Sequence, residues 1–127
     1  MLPFSVEFRT GLPVYEQVVF AVKKAIVSGQ LQPGDEFPSV RLLSQELKIN
    51  PNTAHKVVGT LVQERLLEVR PGIGTIVAKA TSCTREQRSS LLVDEVEKLV
   101  VEAQKLSLDL EVVIEAVHKQ WKRLKKG

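Results

Sequence analysis

The sequence predicts a mainly α protein with a small β-wing, followed by a C-terminal pair of helices. Residues 37–77 have the features of a helix, a tight turn, a second helix and a glycine-tipped hairpin, in that order. Residues 84–126 then carry apolar side chains at helical spacing in two stretches. These observations indicate a winged helix-turn-helix domain over residues 1–80 and a helical hairpin over residues 84–126.

The two central helices are marked by their capping residues. Ser39 can cap the first, in which apolar residues recur at helical spacing. Asn50 and Pro51 open the second, because asparagine is a good N-cap and proline at the first helical position gives up an N–H that would be unpaired anyway. Only Lys48 and Ile49 separate the helices. A turn this short forces the two helices to cross.

Flanking elements complete the predicted domain. A first helix from about Pro13 to Ser28 ends at Gly29. The segment 70–74 forms a hairpin tip that needs glycine for positive φ angles. Three apolar residues near the start alternate with others and predict a short extended strand leading into the first helix. They are Phe4, Val6 and Phe8.

The helix predicted over residues 51–64 has two chemically different sides. Its apolar side consists of Ala54, Val57, Val58, Leu61 and Val62. Its polar side consists of Asn52, Lys56, Gly59 and Gln63, flanked by His55, Thr53 and Thr60. Asparagine can pair bidentately with adenine, lysine suits guanine or phosphate, and threonine suits a phosphate or a thymine methyl group. The polar side therefore suits a DNA groove, and Gly59 either permits close approach to the duplex or is a tolerated surface position.

The segment from Pro13 to Ala78 resembles the DNA-binding domain of the GntR family of bacterial transcription regulators. The resemblance rests on PVYEQ, SGQLQPGDEFPSVRLL, NPNT and GIGT at fixed relative spacing, over about half of the chain. The short helical remainder is similar to the YtrA-type branch of that family. The resemblance implies a dimeric repressor or activator that binds a short palindromic operator.

The resemblance also implies a set of DNA-binding residues. Its members lie at the start of the first central helix, early in the second and in the wing: Arg41, Asn52, Thr53, His55, Lys56, Gly72 and Gly74. Ser39, which stands beside Arg41, and Arg70, the cation of the wing tip, are predicted to contact DNA with them. Arg41 has an alternative partner in Gln45 or Glu46. The wing tip is commonly basic in relatives, whereas here Pro71 and Ile73 leave Arg70 as its only cation. Arg65 stands where relatives usually have glycine, at a position that favours a left-handed cap.

The C-terminal region is predicted to form the dimer contact. Thr84 and Gln87 have capping-box spacing and open a helix to about Lys105, and Ser107 or Asp109 caps a last helix to about Leu124. Folding back would bury one face of each helix, and a second copy is the simplest cover for the remaining apolar residues. The residues expected in this contact are Leu92, Val96, Leu99, Val112, Ala116, Val117 and Trp121.

Composition narrows the other classes of function. The net charge is only +3, so specific DNA binding would need a local positively charged patch. Pairing of two subunits would double the charge that one subunit offers. One cysteine and no long apolar run fit a cytoplasmic protein that lacks a membrane span. No catalytic, phosphate-cradling or metal-ligand spacing is present, so neither an enzyme nor a cofactor is expected.

Three functional classes remain at this point. The favoured one is a sequence-specific regulator, with a repressor preferred, that places the helix 51–64 in the major groove and the wing 70–74 at the minor groove. An adaptor could instead use the winged domain to bind protein or RNA without operator specificity. A small-molecule effector could also bind between subunits or where the two regions join, although the hairpin is too small to enclose a drug-sized pocket.

Overall fold

The structure, a computed structural model, describes residues 1–80 and 82–125. The chain divides into two compact units, with the boundary at residues 80 and 81. The first unit contains three helices and a two-stranded antiparallel hairpin: α1 (Val14–Val27), α2 (Val40–Leu47), α3 (Pro51–Gln63), β1 (Leu67–Arg70) and β2 (Gly74–Val77). This order confirms the predicted winged helix-turn-helix.

Local signals explain where α2 and α3 begin and end. The Ser39 hydroxyl accepts the N–H of Leu42 at 3.1 Å, and the Asn50 side chain accepts the N–H of Asn52 at 2.8 Å. Both predicted N-caps are therefore confirmed. Lys48 ends α2 in the left-handed conformation with φ 54°, and the Ser44 hydroxyl donates to the Ile49 carbonyl at 2.7 Å. These contacts fix the short turn between the helices.

The core of the first unit lies where α1, α2 and α3 meet, and it includes Leu67 and Val77 of the hairpin. Its fully buried members include Val18 and Val22 from α1, Leu43 from α2, and Val57 and Leu61 from α3. Full burial of one such side chain contributes roughly 1.5–3 kcal/mol. The apolar side of α3 is thus held against its own domain, and its orientation is set by this packing.

The hairpin is tied to the loop that precedes α2. Leu67 pairs with Val77 and Arg70 pairs with Gly74, which leaves residues 71–73 as the tip. The loop N–H groups of Gly34 and Phe37 donate to the carbonyls of Val77 and Thr75, each at 2.8 Å. Strand β2 is therefore bonded on both of its edges, to β1 and to the loop.

The strand predicted for residues 4–8 is wrong. The segment is irregular; Phe4 is buried with its ring stacked on that of Phe37 at 6.0 Å, while Phe8 is exposed. The Gln17 side chain bonds the Arg9 N–H and carbonyl at 2.7 and 3.0 Å, and the Leu12 carbonyl at 3.0 Å. Alternation alone makes no strand unless a neighbouring strand offers backbone partners, and here a side chain takes that role.

The second unit is helical. Thr84 and Gln87 form the predicted capping box, with bonds of 3.0 and 2.9 Å. Helix α4 (Arg85–Ser89) continues through a π-helical segment (Ser90–Glu95) into α5 (Val96–Lys105), and α6 spans Leu110–Lys125. The π-helical segment was not predicted. Asp109 occupies the N-cap position of α6, since its carbonyl accepts the N–H of Val113 at 3.3 Å, and Ser107 lies in the turn with φ 58°.

The prediction that the helical hairpin buries one face of each helix is wrong for the single chain. Among the described residues 82–125, only Ala103 is buried, and only Val113 and Leu124 are half-buried. The seven residues predicted for the dimer contact are all exposed. The α5–α6 turn brings Leu108 to the Ala103 carbonyl at 2.9 Å, but the apolar stripes beyond the turn stay open to solvent.

Candidate nucleic-acid interface

Helix α3 presents the two sides that its sequence predicts. Ala54, Val57 and Leu61 have no measurable exposure. Besides Pro51, the exposed residues of the helix are Asn52, His55, Lys56, Gly59 and Gln63, with Thr53 half-buried at the edge. The Thr60 hydroxyl donates to the Lys56 carbonyl at 2.7 Å, so this side chain turns back on its own helix. The polar face is available to a ligand without disturbing the core.

The first turn of α3 combines polar side chains with the positive end of the helix dipole. Unpaired N–H groups at a helix start favour an anion such as phosphate. Asn52 projects from this turn, where its side-chain amide can act as both donor and acceptor, and His55 follows one turn later. These are the groups that base edges in a major groove require.

Arg41 lies beside α3 at the start of a second helix. It is the second residue of α2 and is exposed. Its suggested acidic partner, Glu46, lies 2.6 Å from the Met1 amino group instead. The adjacent Ser39 uses its oxygen as a cap, while its hydroxyl hydrogen can still donate to an anion. Together Ser39 and Arg41 form a donor-rich point at the helix start.

Lys56 makes a contact that sequence reasoning missed. Its Nζ lies 3.9 Å from the centre of the Tyr15 ring, on the neighbouring helix α1. A cation over the face of an aromatic ring is attracted by the ring quadrupole. Tyr15 was visible within the PVYEQ motif, but nothing in the sequence pattern pairs it with a residue 41 positions later.

The wing tip is a tight turn with an apolar surface. The Ile73 N–H donates to the Arg70 carbonyl at 3.1 Å, and Pro71 followed by Gly72 at φ 79° is typical of a type II turn. Gly74 follows with φ 111°, so the predicted need for glycine at these two positions is confirmed. Ile73 is 60% exposed.

The charge at the wing is partly compensated. The Arg70 guanidinium lies 3.3 Å from the Glu68 carboxylate on the same strand. Both side chains are about half exposed, so solvent screens this pair and it contributes little to stability. The wing therefore offers shape and apolar surface more than positive charge.

The end of α3 contains a strained backbone position. Arg65 has φ 63°, and the Leu66 N–H bonds back to the Leu61 carbonyl at 2.9 Å. This is the left-handed helix end that normally takes glycine. The predicted conformation is therefore present, with arginine in it, and the chain turns from α3 directly into β1.

Helix-turn-helix geometry, a polar face on the second helix and an attached β-wing define a winged-helix protein of the DNA-binding class. The family model described as bacterial regulatory proteins, gntR family, matches residues 14–77. The chain belongs to this family and is a DNA-binding transcription regulator.

Comparison with individual proteins agrees with this assignment. The chain is 30% identical over 108 residues to the HTH-type transcriptional repressor YtrA of Bacillus subtilis strain 168, covering 84% of this chain and 83% of that protein. The structure of a transcriptional antiterminator from Listeria monocytogenes EGD-e has a TM-score of 0.86 and 23% identity, covering 98% of this chain and 93% of that one. At that identity the likeness concerns the fold alone.

A third comparison includes DNA. The DNA-binding domain of AraR in complex with operator ORX1 is 32% identical with a TM-score of 0.53, covering 58% of this chain and 95% of that one.

In the part of the chain that the structure describes, no helix is long and apolar enough to cross a membrane.

Proposed function

We propose that this protein is a repressor that binds a palindromic operator as a homodimer. The observation that carries the proposal is the two-sided α3, whose apolar residues are buried or half-buried and most of whose polar residues are exposed. The direction of regulation is supported by the relative YtrA, which is named a repressor. Such a protein acts in the cytoplasm, where bacterial operators are found.

In the proposed complex, α3 enters the major groove with its first turns toward the base edges. Asn52, Thr53 and His55 supply the donors and acceptors that discriminate bases, and each good bidentate contact contributes roughly 1–3 kcal/mol of discrimination. Ser39 and Arg41 contact the flanking phosphates or a groove edge. The wing, with Gly72 and Gly74 shaping its tip, lies at the minor groove.

Two copies are held together by the helices of the second unit. The residues proposed for this contact are Leu92, Val96, Leu99, Val112, Ala116, Val117 and Trp121. Those among them larger than alanine are between 41% and 67% exposed, from Val96 to Trp121. Apolar side chains exposed in series along two helices mark an interaction surface, and a symmetric pair is the simplest way to cover it. The two α3 helices would then read half-sites about one helical turn apart.

Selection of bound fragments from a random pool of duplex DNA tests the proposal. We expect enrichment of an inverted repeat, an affinity whose logarithm falls linearly with the logarithm of salt concentration, and a dimer in sedimentation. Enrichment of no sequence, or tighter binding to RNA or a protein partner than to any duplex, would favour the adaptor instead. A promoter fusion carrying the selected repeat should then lose expression when the protein is produced.

A further inference from the structure

The contact between Lys56 and Tyr15 joins α3 to α1 through a charged group. Tyr15 is half-buried at the second position of α1, and α1 is fixed against α3 through the core. The backbone that carries the ring is therefore fixed relative to α3. Lysine has a long flexible side chain, and the 3.9 Å approach to this ring restricts where its ammonium group lies.

The surrounding charges make this lysine different from Lys23 on α1. Lys23 lies 2.8 Å from the Glu64 carboxylate, so its charge is balanced across the same pair of helices. An aromatic ring attracts a cation without carrying an opposite charge. The Tyr15 hydroxyl donates to the Glu16 carboxylate at 3.4 Å, so this acid contacts the rim of the ring. The ring thus attracts Lys56 without cancelling its positive charge.

We propose that Tyr15 is a positioning residue that directs Lys56 to a DNA backbone phosphate and away from the base edges. The inference rests on the proposed function, because it assumes that α3 occupies the major groove. A helix with its side chains is about 10–12 Å across, close to the groove width of about 12 Å. A side chain that leans from α3 onto a neighbouring helix therefore points at the groove wall, which carries the phosphates.

The proposal separates two kinds of contact on one helix face. Asn52 in the first turn would read bases, whereas Lys56 would add affinity for any sequence. Neutralising a lysine that binds one phosphate lowers the salt slope by about 1 and weakens all sequences alike. The distinction can be measured without knowledge of the operator's biological role.

The test uses the full chain and a double-mutant cycle of Tyr15→Leu and Lys56→Met. Dissociation constants are measured by fluorescence anisotropy on the selected operator and on a scrambled duplex, at several salt concentrations. We expect Lys56→Met to weaken both duplexes by the same factor and to lower the slope by about 1. Tyr15→Leu should weaken binding about threefold in the parent, as expected for an exposed cation–π contact, and have no effect in the Lys56→Met background.

Two further variants serve as controls. Tyr15→Phe keeps the ring and should bind like the parent, which separates positioning by the ring from any contact of the hydroxyl itself. Lys23→Met removes a lysine that Glu64 already balances, and should leave the salt slope unchanged. Thermal unfolding shows whether the leucine variant is folded; Tyr15→Met is measured in parallel with the same expectation.

Several results would overturn the inference. One is a change of preferred bases in Lys56→Met, and another is an unchanged salt slope. A third is an equal loss in Tyr15→Phe and Tyr15→Leu, or a loss in Tyr15→Leu that persists without Lys56. Failure of the proposed function is a separate outcome, since the parent would then select no duplex sequence at all.

Discussion

Replacing Gly59 by alanine should make the free protein more stable and its DNA complex weaker. Gly59 lies on the exposed side of α3, and a Cβ added there would meet no heavy atom within 4 Å beyond its own helix and chain neighbours. The substitution therefore introduces no clash within the described chain. It also removes the helix penalty of glycine, which is about 1 kcal/mol relative to alanine.

The magnitude follows from the size of the winged domain. For a cooperative unit of 60–100 residues, about 1 kcal/mol raises Tm by roughly 4–8 °C. Calorimetry or circular dichroism of the parent and variant measures this shift. Gly72→Ala is the matched control, since its Cβ also has open space but its φ of 79° strains any other residue. That variant should lower Tm.

The effect on DNA binding is expected to have the opposite sign. Gly59 follows Asn52 by seven residues, about two helical turns, and so projects from the same side of α3. A groove about 12 Å wide leaves little room around a helix, and glycine lets the helix axis approach the duplex. Operator affinity should therefore fall in Gly59→Ala. If the Tm of Gly59→Ala is no higher than that of the parent, the helix-propensity argument is wrong. If its operator affinity is undiminished, Gly59 does not serve close approach to the duplex.

Three other substitutions test separate features. Arg65→Gly should raise the free energy of unfolding by about 0.5–1 kcal/mol, because glycine adopts the left-handed conformation without strain; a loss of stability in denaturant titration would contradict this. Asn52→Ala should relax base preference at one operator position by roughly 1–3 kcal/mol in competition binding. Gln63→Ala, at the far end of α3, is the control and should leave base preference unchanged. Equal behaviour of the two variants would count against the proposed docking. Val96→Glu should give a monomer in sedimentation at micromolar concentration and weaken operator binding. Val101→Glu, on another side of α5, is the control and should remain dimeric. A dimeric Val96→Glu variant would show that the dimer contact lies elsewhere.

Sequence alone predicted most of the winged domain because its signals are local. Ser39 and Asn50 cap their helices through bonds to residues two or three positions away, and Gly72 and Gly74 adopt the positive φ angles that their turn requires. The two sides of α3 follow from helical periodicity within one segment of 13 residues. Such features depend on neighbours in the chain and can be read from it directly.

The features that sequence did not predict depend on distant partners. The Phe4 ring stacks on Phe37, and Lys56 lies over Tyr15, both across separations that periodicity does not constrain. The π-helical segment 90–95 changes the hydrogen-bond spacing inside a sequence whose residue types suit an ordinary helix. For the residues proposed to contact DNA, motif resemblance supplied the candidates, and the structure adds their exposure and mutual placement.

The bonds from the Gly34–Phe37 loop to β2 have a consequence for how an operator can vary. The Phe37 N–H donates to the Thr75 carbonyl of the hairpin, and Phe37 lies two residues before Ser39, the N-cap of α2. The loop that leads into α2 is consequently hydrogen-bonded to the hairpin. The hairpin and α2 cannot move apart without breaking these bonds. The distance between the hairpin surface and the helix surface that are proposed to contact DNA is therefore set by the protein. Binding should therefore tolerate a base-pair substitution within a half-site far better than the insertion or deletion of a base pair.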